Sequence, residues 1–132
     1  MKSVLLVDDD PALLALLSSA FEGAGYAVRT ADNGRRAVAL AGSVVPDLVV
    51  TDIVMPEMEG IGVVMELKKL RPRPRIIAIS GQTNIRANNY LAWASALGAD
   101  AVLPKPFRMA GLLKVAEGVL TRQPEAIRKV GG

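Results

Sequence analysis

Two kinds of hydrophobic pattern alternate along the chain. The first is the near-continuous apolar run, which marks a strand covered on both faces. Lys2 to Val7 and Leu48-Val49-Val50-Thr51-Asp52 are of this kind; Arg75-Ile76-Ile77-Ala78-Ile79-Ser80 reads as a further strand, and Ala27 to Ala31 and Ala101 to Leu103 as short ones. The second recurs at helical spacing. After Asp10-Pro11, an N-cap followed by proline at the first helical position, come Leu13, Leu14, Leu17, Ala20 and Phe21, and Gly23 and Gly25 end the segment. Asn33-Gly34 opens a second helix reaching about Gly42, with Ala37, Val38, Leu40 and Ala41 for its buried side. Further helices are predicted over 61–70, over 84–97 between Asn84 as cap and Gly98 as C-cap, and over 109–120.

The alternation predicts an α/β fold with five strands and five helices. Apolar strands separated by helices imply a parallel sheet with helices on both faces, because right-handed crossovers leave few other topologies. No internal repeat or long linker divides the 132 residues, so one domain is expected over 1–121, followed by a polar, frayed tail over 122–132 that holds Pro124 and a terminal Gly-Gly.

In an open parallel sheet, ligands bind beyond the carboxyl ends of the strands. The residues expected there are Asp8, Asp9 and Asp10 after the first strand, Asp52 after the third, Ser80-Gly81 after the fourth and Lys105 after the fifth. Four acids, a hydroxyl and an ammonium thus converge on one edge. Asp10 is explained as a helix cap. A lone carboxylate at a buried strand end has no structural use, so Asp52 calls for a chemical one.

Composition narrows that chemistry. The chain has no Cys and no His, which excludes disulfides, thiol nucleophiles, histidine acid–base catalysis and zinc sites built on either residue. An oxygen-only cluster of Asp8, Asp9 and Asp52 suits Mg²⁺, with Mn²⁺ as substitute. With Lys105 and Ser80 to hold phosphoryl oxygens and a carboxylate as nucleophile, the set fits phosphoryl transfer.

The net charge of +3 raises the question of a nucleic-acid partner. Lys68, Lys69, Arg71, Arg73 and Arg75 supply much of it, but they precede the fourth strand and so fall at the opposite edge from the acids. No aromatic residues interleave with them as single-strand binding would require. They read as compensation for a helix C-terminus and as a solvated loop. No apolar run is long enough to span a bilayer and the first residues do not form a secretory signal, so a cytoplasmic location is the expectation.

Taken as an ordered set, Leu6-Val7-Asp8-Asp9-Asp10-Pro11, Thr51-Asp52-Ile53-Val54-Met55-Pro56 with Gly60, Ser80-Gly81, and Leu97-Gly98-Ala99 to Lys105-Pro106-Phe107 resemble the receiver domains of bacterial two-component response regulators over about residues 2–120. The resemblance implies a flavodoxin-like (βα)5 sheet and a Mg²⁺-dependent phosphoryl acceptor at Asp52. It makes Asp8 and Asp9 the acidic pair, with Asp9 nearer the metal, and gives the backbone carbonyl of Val54 as a further ligand. Ser80 becomes the switch hydroxyl, Gly81 the small neighbour that leaves it room, and Lys105 the phosphate-sensing lysine, aimed by a cis peptide to Pro106. Implied partners are a histidine kinase or histidine phosphotransfer protein and a downstream protein. The chain is expected to be a stand-alone receiver, a monomer or weak dimer, with no direct DNA contact because no helix-turn-helix follows Leu120.

Three positions depart from the family pattern. Val102 stands where many relatives carry an aromatic, the stretch from Ser80 to Lys105 is longer than expected, and Val54 offers a phosphoryl group no polar side chain. With no aromatic at 102, the signal is expected to leave through the helix carrying Tyr90 and Trp93. An aspartyl-nucleophile phosphatase is the competing reading. It is disfavoured because such enzymes commonly carry a second acid where Val54 stands, and because no cap domain is present.

Overall fold

A computed structural model describes residues 1–52, 60–80 and 98–121. Its strands are β1 (Ser3–Val7), β2 (Ala27–Ala31), β3 (Leu48–Asp52), β4 (Arg75–Ser80) and β5 (Ala101–Pro104). Its helices are α1 (Pro11–Gly23), α2 (Gly34–Ser43), α3 (Gly60–Leu67) and α4 (Met109–Thr121). All strand pairs are parallel, in the order β2-β1-β3-β4-β5. The helix expected over 84–97, with Tyr90 and Trp93, and the tail from 122 lie outside the described residues.

The period of two along each strand sorts the apolar side chains into two layers. Leu5, Val7, Val49, Ile76 and Ala78 pack with Ala37 and Ala41 of α2 and with Val63, Val64 and Leu67 of α3. Val4, Leu6, Leu48, Val50, Ile77 and Ile79 pack with Leu17 and Phe21 of α1 and with Leu112, Ala116 and Val119 of α4. Central strands filled on both faces explain why their sequences read as unbroken apolar runs.

The helix starts predicted at Asp10 and Asn33 are capped. The Asp10 carboxylate accepts from Ala12 N at 3.0 Å and Leu13 N at 3.4 Å, and the Asn33 side chain accepts from Arg36 N at 2.9 Å. Past α1, Gly25 adopts φ 94°, a left-handed conformation that lets the chain turn back into β2. Helix α3 stops at Leu67, short of the expected Leu70. There Lys69 N bonds Glu66 O and Leu70 N bonds Leu67 O, each a three-residue turn rather than a continuing α-helix.

The amino edge of the sheet is tied by side chains to main chain. Asp47 Oδ2 accepts from Ser3 N at 2.8 Å, and Ser3 Oγ accepts from Asp47 N at 3.0 Å. Asp100 Oδ2 accepts from Ile76 N at 2.7 Å and pairs with Arg73 at 3.3 Å. Arg73 also donates to the Gly98 carbonyl, and Arg75 Nε donates to Val119 O at 3.0 Å. The arginines of the basic stretch are therefore used largely as main-chain caps.

Candidate functional site

The site lies where β1 and β3 run side by side, the point at which the strand order reverses direction and opens a crevice at the carboxyl edge. Asp8 follows Val7, and Asp52 ends β3. Both continue the alternation of Val4-Leu6 and Leu48-Val50, so both carboxylates fall on the α1/α4 side. They are nearly enclosed, with side chains 2% and 6% exposed. Asp9 is exposed beside them. One oxygen from each of Asp8, Asp9 and Asp52 lies within 4.8 Å of the others, the closest acidic grouping of three among the described residues.

Lys105 enters from the loop after β5. Its Nζ lies 3.0 Å from Asp52 Oδ2 and 3.4 Å from Asp8 Oδ2, and its side chain is 28% exposed. It is held between two buried acids rather than free on the surface. Asp8 Oδ1 also accepts from Asp10 N at 2.9 Å, which orients its carboxylate as the chain turns into α1. The peptide between Lys105 and Pro106 is cis, as the resemblance implied.

Burial raises the pKa of the Asp8 carboxyl. The charge of Asp52 pushes the same way, while the Asp10 N–H and Lys105 oppose it. For Lys105, burial alone would lower the pKa, but the hydrogen bond to Asp52 and the charges of Asp52 and Asp8 outweigh it and leave the ammonium above its ordinary value. The site thus holds a secure cation against an excess of carboxylate charge. An added hard cation would relieve that excess, and the all-oxygen donors match Mg²⁺ in type.

Of the residues expected at the site, the structure brings together Asp8, Asp9, Asp52 and Lys105. Asp10 caps α1, as expected. Ser80 ends β4 on the same edge, but its side chain lies outside the description, as do Val54 and Gly81. Val102 is half-buried against the α2/α3 layer. Sequence reasoning passed over Thr51, which is fully buried and donates to the Asp52 main-chain carbonyl. A single hydroxyl in an otherwise apolar strand was the available signal.

An acidic cluster with a lysine at the β1/β3 crevice of a 2-1-3-4-5 parallel sheet defines a class of phosphorelay signalling domains. Residues 4–117 match the family model of the response regulator receiver domain, and the chain belongs to that family. It is 35% identical to the DNA-binding transcriptional regulator NtrC of Azospirillum brasilense over 89% of this chain and 24% of that protein. The chemotaxis response regulator CheY4 of Vibrio cholerae superposes with a TM-score of 0.80 at 31% identity, covering 90% of this chain and 98% of that one. The response regulator TrrA of Thermotoga maritima, in complex with Mg²⁺ and BeF, superposes with a TM-score of 0.78 at 31% identity over 90% and 99% of the two chains. The chain spans about a quarter to a half of the length of the curated relatives it matches. Its function is that of a phosphorelay receiver, and receiver domains bind Mg²⁺. No described helix is long and apolar enough to cross a membrane.

Proposed function

We propose that Asp52 is the phosphoryl acceptor of this receiver. The observation that carries the reading is the placement of Lys105 Nζ 3.0 Å from a buried Asp52 carboxylate that also lies beside Asp8 and Asp9. An Asp52 oxygen attacks the phosphorus of a phosphohistidine, or of a small acyl phosphate. The P–N or P–O bond to the donor breaks, the new P–O bond forms on Asp52, and the leaving group departs with the bonding pair. Lys105 holds a phosphoryl oxygen as the transfer proceeds, and the Ser80 hydroxyl binds another once the group has arrived. Asp8, Asp9 and Asp52, with the Val54 carbonyl, would hold Mg²⁺, which when bound neutralises the crowded oxygens. Mn²⁺ substitutes because it accepts the same donors.

The partners of this reading are a histidine kinase or histidine phosphotransfer protein as donor and a downstream protein as reader, with no direct DNA contact. The receiver body spans 1–121, lies in the cytoplasm as a monomer or weak dimer, and serves as a signalling domain that promotes its own phosphorylation and dephosphorylation. The test is to treat the protein with acetyl phosphate and Mg²⁺, trap the acyl phosphate with borohydride and locate the reduced residue by mass spectrometry. Reduction at position 52 is expected. A label at any other carboxylate overturns the assignment.

A further inference from the structure

Three polar or charged residues are buried among those described: Asp8, Asp52 and Thr51. Two belong to the acidic cluster. The third stands one residue before the acceptor but on the other face of the sheet. By strand alternation Thr51 shares the side of Val49, and its neighbours across the sheet are Val7 and Ala78, all three in the apolar layer against α2 and α3. Valine has the same branched shape and would fill this place without burying a hydroxyl. A hydroxyl among apolar side chains costs free energy unless it is bonded. Packing alone therefore gives no reason for threonine here.

The bond it makes supplies one. Thr51 Oγ1 donates to the main-chain carbonyl of Asp52 at 3.1 Å. That carbonyl stands where the sheet is running out. The β1 ladder ends at Val7 opposite Thr51, one residue short of the acceptor, while only the β4 ladder continues to Asp52 opposite Ile79. The Asp52 carbonyl belongs to the acceptor's own main chain, so its orientation is tied to that of the residue. A buried, shape-locked threonine is suited to that task because its χ1 is stiff and its surroundings admit no water to compete for the bond.

We propose that Thr51 is a positioning residue for phosphoryl acceptance: its hydroxyl holds the Asp52 carbonyl and so orients the acceptor. The inference rests on the reading of Asp52 as acceptor. Its consequence reaches the metal, because Asp52 itself is among the residues assigned to Mg²⁺. A group that acts through a metal ligand rather than on the metal typically changes affinity by about ten- to a hundredfold when removed.

The decisive comparison is Thr51→Val against Thr51→Ser. Valine keeps the shape and loses the donor, whereas serine keeps the donor and loses a methyl group. For the wild type and both variants, the Mg²⁺ dissociation constant is measured by calorimetry, the phosphorylation rate with acetyl phosphate, and the thermal midpoint in chelator. Thr51→Val is expected to weaken Mg²⁺ binding by about tenfold and to slow phosphorylation, with its midpoint unchanged or raised. Thr51→Ser is expected to bind Mg²⁺ and accept phosphoryl like the wild type despite a lower midpoint. A residue that only packs would give the reverse order. Wild-type affinity and rate in Thr51→Val, or equal losses in both variants, overturn the proposal while leaving Asp52 as acceptor. A wild-type protein phosphorylated elsewhere than Asp52 overturns both.

Discussion

The two edges of the sheet use charge in opposite ways. At the amino edge, each carboxylate or guanidinium satisfies main chain: Asp47 bonds Ser3 N, Asp100 bonds Ile76 N, and Arg75 bonds Val119 O. At the carboxyl edge, the charges face one another. Asp8 and Asp52 are buried side by side with Asp9 adjacent, and Lys105 is the cation that reaches two of them. The first arrangement closes strand starts and helix ends that would otherwise leave donors and acceptors unmet. The second leaves an excess of like charge around two buried carboxylates. Charge at the amino edge serves the fold, and charge at the carboxyl edge is left for the proposed ligand.

Replacements at the two edges should therefore separate cleanly. The largest effect is expected from Asp52→Asn, which should abolish phosphorylation by acetyl phosphate, read as the loss of the added phosphoryl mass. Incorporation at the wild-type rate would break the comparison. Removing Mg²⁺ with a chelator should have the same result, and Mn²⁺ should restore the reaction.

Within the carboxyl edge, neighbouring acids should behave differently. Asp9→Ala should weaken Mg²⁺ binding by about tenfold or more, while Asp10→Ala should leave affinity near the wild type. As a helix cap, Asp10 should cost about 1 kcal/mol of stability instead. Titration calorimetry and denaturant unfolding of the pair distinguish the roles, and a larger loss of affinity in Asp10→Ala would reverse the assignment.

At the amino edge, Asp100→Ala strands the Ile76 N–H and removes the carboxylate paired with Arg73, and should destabilise the protein by about 1–3 kcal/mol. Its phosphorylation rate at a temperature where it is fully folded should match the wild type. A tenfold loss of rate in a folded variant would mean that the two edges are coupled.

The smallest effect sharpens the contrast by its sign. In metal-free protein, burial holds the Asp8 pKa above its ordinary 3.8. A carboxyl raised in the folded state contributes stability that is fully present below the unfolded pKa and is lost as pH rises through the folded one. Asp8→Asn, which cannot ionise, should be modestly more stable than the wild type at neutral pH in chelator, and the gap should close as the pH falls toward 4. Thermal midpoints of both proteins across that range provide the check. A variant less stable at neutral pH would show that Lys105 outweighs burial at this position.

Much of this protein was legible along the chain because the deciding interactions are local. Apolar runs and helical spacing determined the five strands and the four helices among the described residues, Asp10-Pro11 and Asn33-Gly34 determined two helix starts, and the period of two sent Asp8 and Asp52 to one side of the sheet. The meeting of those acids with Lys105 was different. It joins residues separated by 97 and 53 positions, and only the 2-1-3-4-5 strand order brings them into contact. The use of Arg73, Arg75 and Asp100 as main-chain caps, the early end of α3 and the buried bond from Thr51 to the Asp52 carbonyl were likewise decided by tertiary structure. Periodicity records which face a residue takes, whereas the partner it finds there depends on which strand the fold lays alongside.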